Sequence, residues 1–105
     1  MKDYYMGVDP GQSGAVVVVS KSGQWMGTIR LSEPSKEVAD FVSFWGSNVQ
    51  LCMFEKVNAM PKQGIASTFK FGTSFGFCMG ILTACRVRYE MVTPNQWQTR
   101  MKCRT

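Results

Sequence analysis

The chain has 105 residues, 45% of them apolar and 18% charged, which suffices for one hydrophobic core and argues against intrinsic disorder. It carries a net charge of +5 and no histidine, and its four cysteines (Cys52, Cys78, Cys85 and Cys103) never fall at a C-x-x-C spacing; His-dependent acid–base chemistry, a zinc site and a disulfide framework are not expected. No run of roughly 18 apolar residues free of charges and turn formers occurs, and the first residues lack the apolar stretch of a signal peptide, so membrane-spanning and secreted readings are set aside and a reducing, cytoplasmic location is expected.

Strands come first. Tyr4 to Asp9 is an apolar-rich run stopped by Pro10-Gly11, and Gly14 leads into Ala15 followed by Val16 to Val19, whose β-branched side chains favour a pleated strand. Lys21-Ser22-Gly23 is a turn. Beyond it Trp25, Gly27, Ile29 and Leu31 alternate with Met26, Thr28 and Arg30, predicting three strands in an antiparallel meander.

Pro34 marks a helix start, where its missing N–H is harmless. Val38, Phe41, Val42 and Trp45 share one apolar face of that helix, and Gly46 closes it. Gln50 to Phe54, ending at Glu55, fits a buried central strand, and a polar loop from Asn58 to Gln63 follows. Gly64 to Cys85 reads as a long helix with Gly72, Gly76 and Gly80 at every fourth residue, a bare stripe that suits close packing against the sheet or a second subunit. Phe71, Phe75, Cys78 and Leu82 form the adjoining apolar ridge. Val87 to Val92 is a last strand, and Thr93-Pro94-Asn95-Gln96 is a capping box opening a helix close to the end of the sequence. The pattern predicts a single α/β domain over residues 1–105.

Two carboxylates end strands: Asp9 the first and Glu55 the fourth. Ligands of α/β sheets gather at the carboxyl ends of strands, so neighbouring strands would set both acids on one rim, where a magnesium ion would relieve their repulsion. Asp9 before Pro10-Gly11 also suits a plain turn, and Glu55 also suits an ion pair with a nearby lysine. Charge is divided along the chain: residues 1–55 sum to −2 and residues 56–105 to +7, a split that suits a polyanionic partner.

Three blocks carry a resemblance. Gly7-Val8-Asp9-Pro10-Gly11-Gln12-Ser13-Gly14-Ala15 resembles the first strand and turn of RuvC-type Holliday-junction resolvases of the RNase H-like superfamily. Phe54-Glu55-Lys56-Val57-Asn58-Ala59-Met60-Pro61, with Gly64, Phe71-Gly72 and Gly76, and then Val92-Thr93-Pro94-Asn95-Gln96-Trp97, resemble its phage and environmental branch, in the same order along nearly the whole chain. The resemblance implies an RNase H-like mixed five-stranded sheet flanked by helices, a homodimer, and two-metal, magnesium-dependent hydrolysis of phosphodiester bonds in branched DNA such as four-way junctions, with Mn²⁺ as a possible substitute. On it, Asp9 and Glu55 match the family's first- and fourth-strand metal ligands.

One departure is decisive. The family completes its site with further acids on a late helix, whereas the only acid after Glu55 here is Glu90, so the sheet is expected to lack that last helix and the chain to be C-terminally truncated; catalysis lost, or an acid lent by another chain, are the other readings. Lys56, Lys62 and Lys70 near Glu55, and Arg100, Lys102 and Arg104 in the tail, are the candidate phosphate contacts. The rival from another class is a non-catalytic module that binds branched DNA through the basic half. A fragment of an actin-like ATPase or sugar kinase ranks third, because that fold needs a far longer chain and a second phosphate loop.

Overall fold

A computed structural model describes residues 2–11, 13–56 and 64–93. In chain order the elements are β1 (Tyr4–Asp9), β2 (Ala15–Ser20), β3 (Trp25–Arg30), α1 (Ser35–Gly46), β4 (Val49–Glu55), α2 (Ile65–Ala84) and β5 (Tyr89–Val92). They build one five-stranded mixed sheet in the order β3-β2-β1-β4-β5. β2 lies between β1 and β3 and runs antiparallel to both, whereas β4 lies parallel to β1 and β5 parallel to β4. The predicted meander and mixed sheet are both present. The capping box beyond Thr93 falls outside the described residues.

Parallel neighbours need crossover connections, and both helices supply them. α1 links β3 to β4 and α2 links β4 to β5, so each begins at the end of the sheet where β1, β4 and β5 finish. Both lie on the same face: Val38 and Val42 of α1 join Cys78, Ile81 and Leu82 of α2 around Val8 and Val16. Alternation along the strands points Met6, Val8, Val16, Val18, Cys52 and Phe54 into this layer, where all are buried. Phe54 is the largest fully buried side chain among the described residues, and its ring stacks obliquely on Phe75 at 5.0 Å and Tyr89 at 5.7 Å. Burial holds the thiols of Cys52 and Cys78 protonated, pushing them up to about 12 and about 11 respectively.

The strict alternation read for β3 fails at its start. The pairing slips between Val18 and Val19, so Val18 faces Gly27 but Val19 faces Trp25, with Met26 as the extra residue. Trp25 therefore turns to the other face from Gly27. There its Nε1–H donates to Thr28 Oγ1 at 2.8 Å, and the residue stays 65% exposed. Gly27 meets Phe41 and Trp45 instead: a Cβ there would lie 3.4 Å from the Phe41 ring.

The glycine stripe of α2 faces neither sheet nor α1, since a Cβ at Gly72, Gly76 or Gly80 would meet none of the described residues within 4 Å. The ridge of Phe75, Cys78 and Leu82 is the side that packs. By length and composition α2 is apolar enough to cross a membrane. As the crossover between two hydrogen-bonded parallel strands, with that ridge seated on the sheet, it is a helix of the domain itself.

The last strand starts two residues later than alternation suggests because Arg86 and Val87 end α2. Val87 N–H donates to Leu82 O and Arg86 N–H to Thr83 O, a Schellman closure with Arg86 at φ +59° in the position glycine usually holds. A side chain pays in strain there, so Arg86→Gly should be more stable than Arg86→Ala by about 1 kcal/mol. Urea unfolding of the two variants checks this, and the opposite order would contradict the left-handed geometry.

Candidate functional site

β1 and β4 are adjacent and parallel, and their register pairs Val8 with Phe54. One residue further, Asp9 and Glu55 close their strands side by side, on positions that alternate away from the buried Val8 and Phe54. Neighbouring strands run about 4.8 Å apart, so the two carboxyls share one rim. Each backbone is fixed by the sheet: Asp9 pairs with Ala15 across β2, and Glu55 with Val92 across β5.

The Asp9 side chain is further tied by its own turn, with Oδ1 accepting the Gly11 N–H at 3.0 Å. Glu55 stands within hydrogen-bonding reach of Asp9. Partial burial first, then the Asp9 charge and that hydrogen bond, raise its carboxyl above the ordinary carboxylate range. Oxygen donors set together against their mutual repulsion are what a hard divalent cation favours, so the pair fits Mg²⁺ or Mn²⁺, with waters and a phosphate as the remaining ligands. Among the described residues no group of three or more His, Cys, Asp or Glu side chains converges, so no third such ligand stands beside the pair.

The predicted basic residues divide. Lys56 follows Glu55 directly, is exposed, and its backbone N–H donates to Val92 O at 2.7 Å, bridging to β5 beside the site. Lys70 is exposed in the second turn of α2. Lys62, Arg100, Lys102 and Arg104 lie outside the described residues. Arg30 escaped the sequence reading: it ends β3 in the cross-strand row Asp9–Ala15–Arg30, an exposed cation two strands from Asp9. Its only signal was its place at a strand end, which means nothing until the register is known. Gly11 and Gly14, which flank the turn beside Asp9, were legible as turn formers and as part of the first resemblance block, but not in their bearing on the Asp9 side chain.

The raised carboxyl has a signed consequence for stability. The folded state holds the Glu55 proton more tightly than the unfolded chain, so stability falls as pH rises from the unfolded value, about 4.3, through the raised one. Glu55→Gln removes the repulsion and should raise the melting temperature at pH 7, with the advantage vanishing below about pH 4. Thermal unfolding at the two pH values checks this; an advantage that persisted in acid would assign the effect to packing rather than charge.

No protein-family model and no curated protein matches the chain. Solved structures do. Thermus thermophilus RuvC in complex with a Holliday-junction substrate superposes with a TM-score of 0.65 at 14% identity, over 96% of this chain and 71% of that one. A second Thermus thermophilus RuvC structure gives 0.58 at 18% identity, over 91% of this chain and 67% of that one. With its antiparallel first three strands, two parallel additions and one-sided crossover helices, the chain has a RuvC-like fold.

Proposed function

We propose that this chain is the sheet-and-helix core of a divalent-metal-dependent endonuclease acting on branched DNA of the Holliday-junction type. The observation that carries the reading is the Asp9–Glu55 pair at the shared rim of β1 and β4, within a fold whose solved neighbour holds a Holliday-junction substrate. Asp9 and Glu55 would hold the metal, whose chemistry is to lower the pKa of a bound water and to offset charge on the phosphate. The chain's own part is orientation. The two strands fix the carboxylates side by side, and the exposed Lys56 and Lys70, with Arg30 along the rim, offer phosphate contacts that position the backbone without reading sequence. A non-catalytic branched-DNA-binding module is the second reading, favoured by the absence of a third acid beside the pair among the described residues.

The test is incubation of a labelled four-way junction with the chain and Mg²⁺ or Mn²⁺. Cutting that is lost in Asp9→Asn while junction binding is retained is the expected result for an endonuclease. Binding without cutting would select the second reading, and neither binding nor cutting would sink both.

The homodimer belongs to the same proposal. On the outer face of α2, Ile65 is 90% and Phe69 75% exposed, in line with the open positions Gly72, Gly76 and Gly80. Each mid-helix glycine costs about 0.5–1 kcal/mol relative to alanine, which a second copy of α2 packed backbone to backbone would offset. Gly76→Gln, which favours the helix but fills the stripe, should shift the sedimentation coefficient from dimer to monomer; a wild-type chain monomeric at high concentration would rule the interface out.

A further inference from the structure

We infer that the turn from Asp9 to Gly14 is a positioning device for the Asp9 carboxylate, with Gly11 and Gly14 as its two essential positions. The inference rests on the metal-holding role proposed for Asp9 and Glu55 and says how the pair is kept together.

Asp9 is exposed, and an exposed aspartate beside another carboxylate gains by rotating away from it. A chain of backbone hydrogen bonds opposes that motion. Gly11 N–H donates to Asp9 Oδ1 at 3.0 Å, Gly14 N–H to Gly11 O at 3.0 Å, and Leu31 N–H, just past β3, to Gly14 O at 3.0 Å. Pro10, fully buried between them, anchors the turn in the domain. The carboxylate is thus linked through three amides to the segment leading from β3 into α1.

The space around the turn singles out the same two residues. A Cβ on Gly14 would lie 1.9 Å from the Asp9 carbonyl oxygen and 2.8 Å from that of Gly11, so any side chain forces the turn open. A Cβ on Gly11 would lie 3.2 Å from Asp9 Oδ1 itself, and the carboxylate would have to give by a few tenths of an ångström. Gly7, two residues before Asp9 on the same strand, has nothing within 4 Å of its Cβ position. Both crowded positions press on Asp9, and the roomy one does not.

The experiment measures Mn²⁺ affinity by calorimetry, together with hydrogen exchange of the Gly11 amide, in wild type, Gly7→Ala, Gly11→Ala and Gly14→Ala. Gly14→Ala should lose about tenfold in Mn²⁺ affinity, as disturbed supports of metal ligands do, and lose protection at the Gly11 amide. Gly11→Ala should lose less, and Gly7→Ala nothing. If Gly14→Ala does not fold, Gly11→Ala decides the matter, because its added methyl touches only the carboxylate. Unchanged affinity in the folded glycine variants, beside a wild type that binds Mn²⁺, overturns this inference and leaves the nuclease reading standing. A wild type that binds no Mn²⁺ overturns both.

Discussion

The parallel pairing of β1 with β4 is the constraint on which the rest depends. β1 is the central strand, hydrogen-bonded to β2 on one side and β4 on the other, so it joins the antiparallel meander to the crossover half. Its register sets Val8 beside Phe54 under the helices, and the same register, one residue on, sets Asp9 beside Glu55. Core and site are consecutive steps of one ladder. A slip of one residue would carry Phe54 out of the core and a carboxylate into it, so burial of a single aromatic ring enforces the geometry of the rim.

That coupling explains how the fold tolerates an unfavourable arrangement. Two carboxyls in reach of each other oppose folding at neutral pH, and nothing in the described ion pairs relieves them: Lys36–Asp40 and Arg88–Glu90 lie elsewhere. The opposing energy comes from the apolar layer beneath, where Phe54, Val8 and Val16 are almost wholly buried. This repulsion at a strand end is held by a core that has no use for it.

How much was legible in the sequence follows from what each signal depends on. The valine run, the strand-ending Asp9 and Glu55, and the apolar face of α1 are local patterns, and the structure places all three as read. Trp25 was misplaced because a bulge is a property of two strands, and its partner Val19 gives no sign of it. The direction of the glycine stripe was open because α2 has apolar residues on both sides: Phe75 and Phe77 flank the core while Ile65 and Phe69 face outward, so periodicity could not choose. Arg30 joined the rim only through the register of β3 on β2, and the crowding at Gly14 only through the path of Asp9's backbone. Long-range pairing, rather than composition, is what those features needed.

The shared direction of the two helices has an electrostatic result of its own. α1 and α2 both start at the rim that bears Asp9 and Glu55, so their macrodipoles add, presenting about half a positive charge each at that end. The opposite end collects the negative poles, and cations meet them there: Lys2 Nζ donates to Ser47 O just past α1, and Arg86 stands at the close of α2. The backbone thus works as a polarised slab. Its positive side lies at the same end of the sheet as the two acids, and its negative side at the end where Lys2 and Arg86 stand.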